Sequence, residues 1–141
     1  MKLLNKTFKN KKVLILGHTG FKGSWLTCWL KSYGAKIVGF SLDTPSKPSH
    51  FVALKIKKNI INKKIDFKNL VSLKKAFKKH KPDIVYHFAA YAAEGLSPFI
   101  RSYNYKNNLI ASANLITLSI KHDIDRFVFT SSMSVYGNKY D

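Results

Sequence analysis

The sequence predicts an α/β fold, a doubly wound parallel sheet with strand order 3-2-1-4-5, on three observations. Short apolar runs alternate with segments whose apolar residues recur at helical spacing. The runs are continuously apolar, as in Lys12–Leu16 (KVLIL), which is the pattern of strands covered on both faces. A glycine-spaced turn, Gly17 to Gly23, joins the first run to the first helical segment. Right-handed crossovers with a reversal after the third strand give the stated order.

Each element has its own justification. Lys12–Leu16 is the first strand, and Ser24–Tyr33 reads as a helix stopped by Gly34. On that helix Trp25 and Trp29 are four apart, as are Leu26 and Leu30, and the two tryptophans are expected in the core. Lys36–Phe40 (KIVGF) is the second strand, and Ser41–Ser49, with Pro45 and Pro48, is a loop. Asn59–Ile65 reads as the third strand. Leu70–His80 is a helix with Leu70, Leu73 and Phe77 on one side, ended by Pro82. Asp83–Phe88 (DIVYHF) is the fourth strand. Ser102–His122 is a long helix whose expected core stripe is Leu109, Ala113, Ile116 and Ile120, and Arg126–Thr130 (RFVFT) is the fifth strand. No internal repeat interrupts this pattern.

Composition bounds the function. A chain of 141 residues, 45% hydrophobic and 23% charged, has ordinary globular usage and room for one core. Its apolar runs are too short to span a bilayer or to serve as a secretory signal. With one cysteine, Cys28, it can form neither an internal disulfide nor a multi-cysteine zinc site. His50, His80 and His122 are too scattered for metal-ligand spacing, so no metal is expected. The expectation is a soluble, cytoplasmic protein with no membrane partner. Lys and Arg number 25 against 7 Asp and Glu, a net charge of +18. The basic residues are nearly all lysines, spread from Lys2 to Lys139, with only Arg101 and Arg126 able to make bidentate contacts. This reads as a biased composition and a solvated surface. No specific nucleic-acid partner is expected, while the positive field favours a phosphate-bearing ligand.

Gly17-His18-Thr19-Gly20-Phe21-Lys22-Gly23 has the spacing G-x-x-G-x-x-G between a strand and a helix. Gly17 permits the tight turn, Gly20 lets backbone approach a diphosphate, and Gly23 lets helix and strand pack closely. Amides at the helix start then meet the anion. In this context the turn predicts dinucleotide binding and a Rossmann-type domain over residues 1–141. Asp43, 26 residues after Gly17, is the candidate acid for the adenosine ribose, with capping of the Pro-rich loop as its structural alternative. Lys47 lies close enough to blur the choice of dinucleotide; NAD is favoured over NADP. Asp66 is placed to reach the adenine edge, or else to cap the helix that follows.

Beyond the turn, the chain resembles one Rossmann family from about Lys11 onward: the NAD-dependent epimerases and dehydratases of nucleotide sugars, which are extended short-chain dehydrogenases. Gly17 to Leu26 (GHTGFKGSWL) is similar to CDP-glucose 4,6-dehydratases. Tyr86 to Gly95 (YHFAAYAAEG) and Phe127 to Gly137 (FVFTSSMSVYG) are more similar to UDP-glucose 4-epimerases. The resemblance implies that Gly17, Gly20 and Gly23 hold the diphosphate, with help from the Phe21 amide. It implies that Asp66 and Phe67 contact adenine, that Phe88, Ala89 and Ala90 line the cofactor, and that Asn108 lies near it. Ser132 matches the Ser/Thr that binds the sugar 4-hydroxyl, the one catalytic position carried by this chain. The implied chemistry is oxidation at sugar C4 to a 4-keto sugar, followed by reduction on the other face or by loss of water across C5–C6. Met133 and Ser134 follow Ser132 where dehydratases resemble one another in carrying acidic groups, which favours the epimerase.

One feature of the family is missing. No Tyr-x-x-x-Lys occurs: Tyr136-Gly-Asn-Lys139 has the wrong spacing, and only Asp141 follows Tyr140. Without the lysine's charge, a tyrosine with a pKa of about 10 is a poor base at neutral pH. The chain is therefore expected to be inactive alone, with a C-terminally incomplete sheet and no substrate-binding half. Three accounts compete: a fragment, half of a split enzyme, or a stand-alone dinucleotide-binding module. The fragment is favoured because Ser132 would serve no purpose in a pure binding module. Related enzymes dimerise through the long helix and the one after it, so a homodimer is doubtful here. Of the remaining residues, His18 is expected to face solvent and His87 to be structural. Glu94 is balanced between substrate contact and a solvated loop.

Overall fold

The computed structural model describes residues 2–91 and 99–137. Glu94, Lys139, Tyr140 and Asp141 lie outside the described residues. A short helix α1 (Lys2–Phe8) precedes β1 (Lys12–Leu16), α2 (Phe21–Ser32) and β2 (Lys36–Ser41). A short helix α3 (His50–Ala53) and a 3₁₀ turn (Ile56–Asn59) lead into β3 (Ile61–Lys64), α4 (Leu70–His80) and β4 (Ile84–His87). The chain then runs through α5 (Arg101–Asn104), a π-helical turn (Tyr105–Ile110), α6 (Ala111–Lys121) and β5 (Arg126–Phe129), and on to a 3₁₀ turn at Met133–Tyr136.

The five strands form one sheet in the order β3-β2-β1-β4-β5, and every pairing is parallel. Val13 to Leu16 are essentially inaccessible, which is why β1 is apolar from Val13 onward. On one face, Leu14, Leu16, Val38, Phe40 and Val85 pack against Leu73 and Phe77 of α4 and Leu115 and Leu118 of α6. On the other, Val13, Ile15, Ile37 and Ile84 pack against Leu30 of α2. Both cores lie under the site: they hold the carboxyl ends of β1, β2 and β4 rigid where the chain reverses.

Three expectations are corrected. First, α2 begins at Phe21 rather than Ser24, so Gly23 is a helical residue and the turn is only Gly17–Gly20. Second, Trp25 and Trp29 are exposed, and α2 buries Gly23, Ser24, Thr27 and Leu30 instead. The helix lies too close to the sheet for large side chains at those positions, so the small residues turn inward. Third, Leu109, Ala113, Ile116 and Ile120 face outward, and α6 buries Ala111, Ser112, Leu115, Leu118 and Ser119. Apolar residues lie on both sides of this helix, so periodicity does not select the inner face. The π turn adds a residue to the preceding turn and rotates the register. Two short helices, α1 and α3, had no sequence expectation; α3 is capped by Ser49, whose hydroxyl accepts the Val52 amide at 3.2 Å. Among the described residues no helix is long and apolar enough to cross a membrane. No group of three or more His, Cys, Asp or Glu among them could hold a metal ion.

Candidate functional site

The three glycines of the turn have different tasks. Gly17 has a φ of +84°, and a Cβ there would stand 2.8 Å from the Ala89 amide nitrogen. It is required both by conformation and by the close exit of β4. A Cβ at Gly23 would overlap the Gly17 carbonyl, so Gly23 is required by the packing of α2 on the turn. Gly20 has an ordinary φ of −74°, and a Cβ there would meet only the Gly17 carbonyl oxygen, at 3.4 Å. The fold tolerates a side chain at Gly20; what its bareness preserves is open space. Gly20 is the N-cap of α2, whose first turn carries no acid. The first-turn amides and the positive end of the helix dipole are thus left for an anion in that space.

His18 corrects the expectation of a solvent-facing residue: it is fully buried. Its ring lies against Gly39, where a Cβ would overlap the imidazole, and meets Phe51 of α3 edge-on at 5.2 Å. Nε2 is 2.6 Å from Asn62 Oδ1, and Nδ1 is 2.9 Å from Ser41 Oγ. One tautomer satisfies every group: Nε2–H donates to Asn62, and the Ser41 hydroxyl donates to Nδ1. Ser41 Oγ in turn accepts the Thr19 amide at 3.4 Å. Burial holds the imidazole below its usual pKa, opposed more weakly by its bonds to Asn62 and the Phe40 backbone. A neutral histidine thereby ties the turn to β2 and β3. Gly39 was the signal in the sequence: a glycine inside a strand marks a close approach.

At the exit of β4, His87, expected to be structural, is buried, and its Nε2 is 2.8 Å from Ser112 Oγ on α6. The Ser112 hydroxyl donates to the Asn108 carbonyl, so Nε2 carries the proton and donates to Ser112. Nδ1 is left buried with no partner among the described residues. Asn108 sits in the π turn and clamps Tyr91 from both sides: Oδ1 accepts the Tyr91 amide at 2.7 Å, and Nδ2 donates to the Tyr91 carbonyl at 3.0 Å. Asn108 thus positions the segment Phe88–Tyr91. Thr130 donates through both its amide and its hydroxyl to the His87 carbonyl, at 3.2 and 2.7 Å, and so fixes the end of β5 beside it.

Between these two corners lies a cleft of about 230 Å³ at the carboxyl ends of β1, β2 and β4. Of the residues singled out from sequence, Gly17, Gly20, Asp43, Phe67, Phe88, Ala89 and Ala90 line it together. Gly23 and Asn108 stand behind the lining, and Phe21 is largely exposed at the start of α2. Asp66 is not in the lining either. Its carboxylate accepts the Lys68 amide at 2.9 Å and pairs with Lys68 Nζ at 3.4 Å. The cap of α4 is Asn69, not Asp66. Ser132 is exposed beyond β5, where its carbonyl accepts the Val135 amide at 3.3 Å. Sequence reasoning missed Ser41, Tyr91, Tyr103 and Asn107 in the lining. Tyr91 and Tyr103 meet edge-on at 4.9 Å, and Lys68 Nζ reaches Asn107 Oδ1 at 2.8 Å. Only adjacency to Ala90 and Asn108 marked Tyr91 and Asn107 in the sequence.

The cleft suits a dinucleotide: bare backbone and helix amides at one wall, an acid after β2, apolar Phe67 and Phe88, and small Ala89 and Ala90. Known proteins resemble this chain in sequence and in fold. CDP-glucose 4,6-dehydratase of Salmonella typhimurium is 32% identical over 139 residues, covering 97% of this chain and 39% of its own length. UDP-glucose 4-epimerase of Caenorhabditis elegans is 31% identical over 135 residues, covering 89% of this chain and 39% of its own length. The crystal structure of UDP-glucose 4-epimerase from Bifidobacterium longum in complex with NAD+ and UDP matches with a TM-score of 0.79 and 26% identity, over 90% of this chain and 38% of that one. The chain thus spans about two fifths of the length of these relatives. The family model described as the NAD dependent epimerase/dehydratase family matches residues 13–141. The chain belongs to the NAD dependent epimerase/dehydratase family.

Proposed function

We propose that this chain is the NAD-binding part of a nucleotide-sugar 4-epimerase. The observation that carries the reading is the cleft itself, in which the open face of Gly20, the start of α2, Asp43, Phe67 and Ala89 converge at the reversal point of the sheet. NAD bound there would accept and return the hydride at sugar C4. Gly20 and the first-turn amides of α2, including that of Phe21, would hold the diphosphate. Asp43 would take the adenosine ribose and Phe67 the adenine, with Asp66 at its edge. Ala89 and Ala90 leave room for the nicotinamide ribose, Asn108 keeps their loop in place, and Ser132 would hydrogen-bond the sugar 4-hydroxyl.

The epimerase reading is supported by the UDP-glucose 4-epimerases among the relatives and by Met133 and Ser134 after Ser132, neither of which is an acid for eliminating water. A second reading, a 4,6-dehydratase, is supported by the identity to CDP-glucose 4,6-dehydratase across nearly the whole chain. Neither reaction has its Tyr-x-x-x-Lys base within these 141 residues. The expected behaviour of the purified chain is NAD binding without turnover of UDP-glucose or CDP-glucose.

Titration of NADH fluorescence tests the reading. Gly20→Val should weaken binding by about 50-fold or more, roughly 2.3 kcal/mol, because its side chain fills the diphosphate space. Thermal stability should change little, since a Cβ at Gly20 meets only one atom, at 3.4 Å. Equal affinity in the two proteins would sink the assignment.

A further inference from the structure

Helix α2 turns its small residues to the sheet and its largest away from it: Phe21, Trp25 and Trp29 are 74%, 44% and 62% exposed. Spaced i, i+4, i+8, they form one stripe, with about 6 Å of helix axis between successive residues. Neighbouring elements extend it. The Trp25 ring stacks on His50 of α3 at 4.4 Å and 20°. Leu54, just past α3, is exposed and shares a hollow with Cys28 and Lys31 of α2. At the other end, the Asn10 amide donates to the Gly34 carbonyl at 2.9 Å, which seats α1, with its exposed Leu3 and Leu4, beside the end of α2. Large exposed side chains gathered on one face in this way mark an interaction surface.

The charge around the stripe has one sign. Residues 1–65 hold fourteen lysines and one acid, Asp43, which lies past β2 and pairs with Lys64. Helices α1, α2 and α3 and the 3₁₀ turn carry lysines and no acid, and Lys22 and Lys31 of α2 itself are exposed. Rings set among ammonium groups require a partner that is anionic and partly apolar. A second copy of the chain would set lysines against lysines. A nucleic-acid strand is gripped by free ring faces along a groove and by arginine forks. Here the stripe is the convex side of a helix, His50 covers one face of Trp25, and neither Arg101 nor Arg126 lies on these elements. A bilayer surface is met by a helix lying flat, with aromatic rings at headgroup level and lysine stems reaching lipid phosphates. Over its twelve residues α2 presents that arrangement. Apolar runs too short to span a bilayer place no restriction on lying against one.

We propose that the aromatic stripe of α2 is a docking surface for the anionic headgroup region of a lipid bilayer, which holds the chain peripherally at a membrane. Trp25 and Trp29 insert at headgroup level, and Lys22 and Lys31 pair with lipid phosphates on either side. The proposal does not depend on the dinucleotide reading, because the stripe faces away from the sheet while the cleft lies at the carboxyl ends of the strands.

The chain has two tryptophans and both lie on the stripe, so intrinsic tryptophan emission reads this surface alone. The full chain is titrated with vesicles of phosphatidylcholine and with vesicles of an equal mixture of phosphatidylcholine and phosphatidylglycerol. On the mixed vesicles the emission should move to the blue and be quenched by bromine-labelled acyl chains, and co-sedimentation should weaken as salt is added. Partitioning onto phosphatidylcholine alone should be about tenfold weaker or more. Trp29→Ala should lose about tenfold in partitioning onto mixed vesicles, with an unchanged circular dichroism spectrum because the side chain is exposed. Lys22→Ala/Lys31→Ala should also lose about tenfold. Lys74→Ala/Lys75→Ala removes the same charge from α4, on the opposite face of the sheet, and should lose less than about twofold. Equal losses in the two lysine pairs would overturn the proposal, as a general effect of the chain's positive field. Unchanged tryptophan emission on mixed vesicles, or equal partitioning onto both kinds of vesicle, would overturn it too. Emission that responds to a single-stranded oligonucleotide and not to vesicles would make the stripe a nucleic-acid surface and end the membrane assignment.

Discussion

The two faces of the sheet are closed by opposite means. On the α2 face the helix is brought in by leaving side chains out: Gly23, Ser24 and Thr27 face the sheet, and His18 lies where Gly39 has no Cβ. On the α6 face the gap is filled with hydrocarbon, from Leu73 and Phe77 of α4 and Leu115 and Leu118 of α6. The buried histidines follow suit. His18 has both ring nitrogens engaged by Asn62 and Ser41, whereas among the described residues His87 is bonded through Nε2 alone. The contrast shows that the face bearing the glycine turn is a matter of close backbone approach, and the other face is a conventional core. Adding atoms should therefore harm the first, and removing them the second.

The largest effect is expected at Gly23. Gly23→Ala forces a methyl into the Gly17 carbonyl, and backbone cannot yield as a side chain tip can. It should cost about 4 kcal/mol or leave the chain unfolded, as read by urea denaturation. A cost below about 1 kcal/mol would show that the α2 face is looser than described. Next comes deletion on the opposite face: Leu115→Ala, at a fully buried position, should cost about 3 kcal/mol by the same measurement. If the α6 face collapsed around the gap at little cost, the contrast between the faces would fail.

The smallest effect is pH-dependent and separates the histidines. Desolvation lowers the His87 pKa from 6.5 to about 4. A histidine whose folded pKa is depressed contributes stability that is present above its unfolded value and lost as pH falls toward the folded one. For His87 the window runs from 6.5 to about 4, and the loss across it is on the order of 3 kcal/mol. His87→Leu removes both this liability and the unpartnered Nδ1. It should be within about 1 kcal/mol of the parent at pH 7 and about 2 kcal/mol more stable relative to it at pH 5. His18→Leu should be destabilised at both pH values, because Asn62 and Ser41 lose their shared partner. An unchanged acid slope in the His87 variant would place the titration elsewhere.

Most of the path of the chain is legible in the residues. The strands show as apolar runs because burial on both faces demands it, and α4 was predicted to the residue because its lysines and apolar side chains separate cleanly. The glycine turn is legible because each missing Cβ has a geometric cause, and the cleft at the reversal of strand order follows from topology. The inner face of α6 was not legible: leucines and isoleucines surround it, and a π turn resets its register. The tryptophans misled because hydrophobicity ranks them as core, while the distance between α2 and the sheet decides whether they fit. The pairing of His18 with Asn62, 44 residues away, and of Asn108 with Tyr91, 17 residues away, required a turn to meet a strand and a loop to meet a helix. Local sequence therefore set the strands, most of the helices and the bare turn, which depend on a residue and its near neighbours. Tertiary structure alone decided which helix faces went inward and which polar groups found partners, because distance and volume between remote segments are properties of the packed chain.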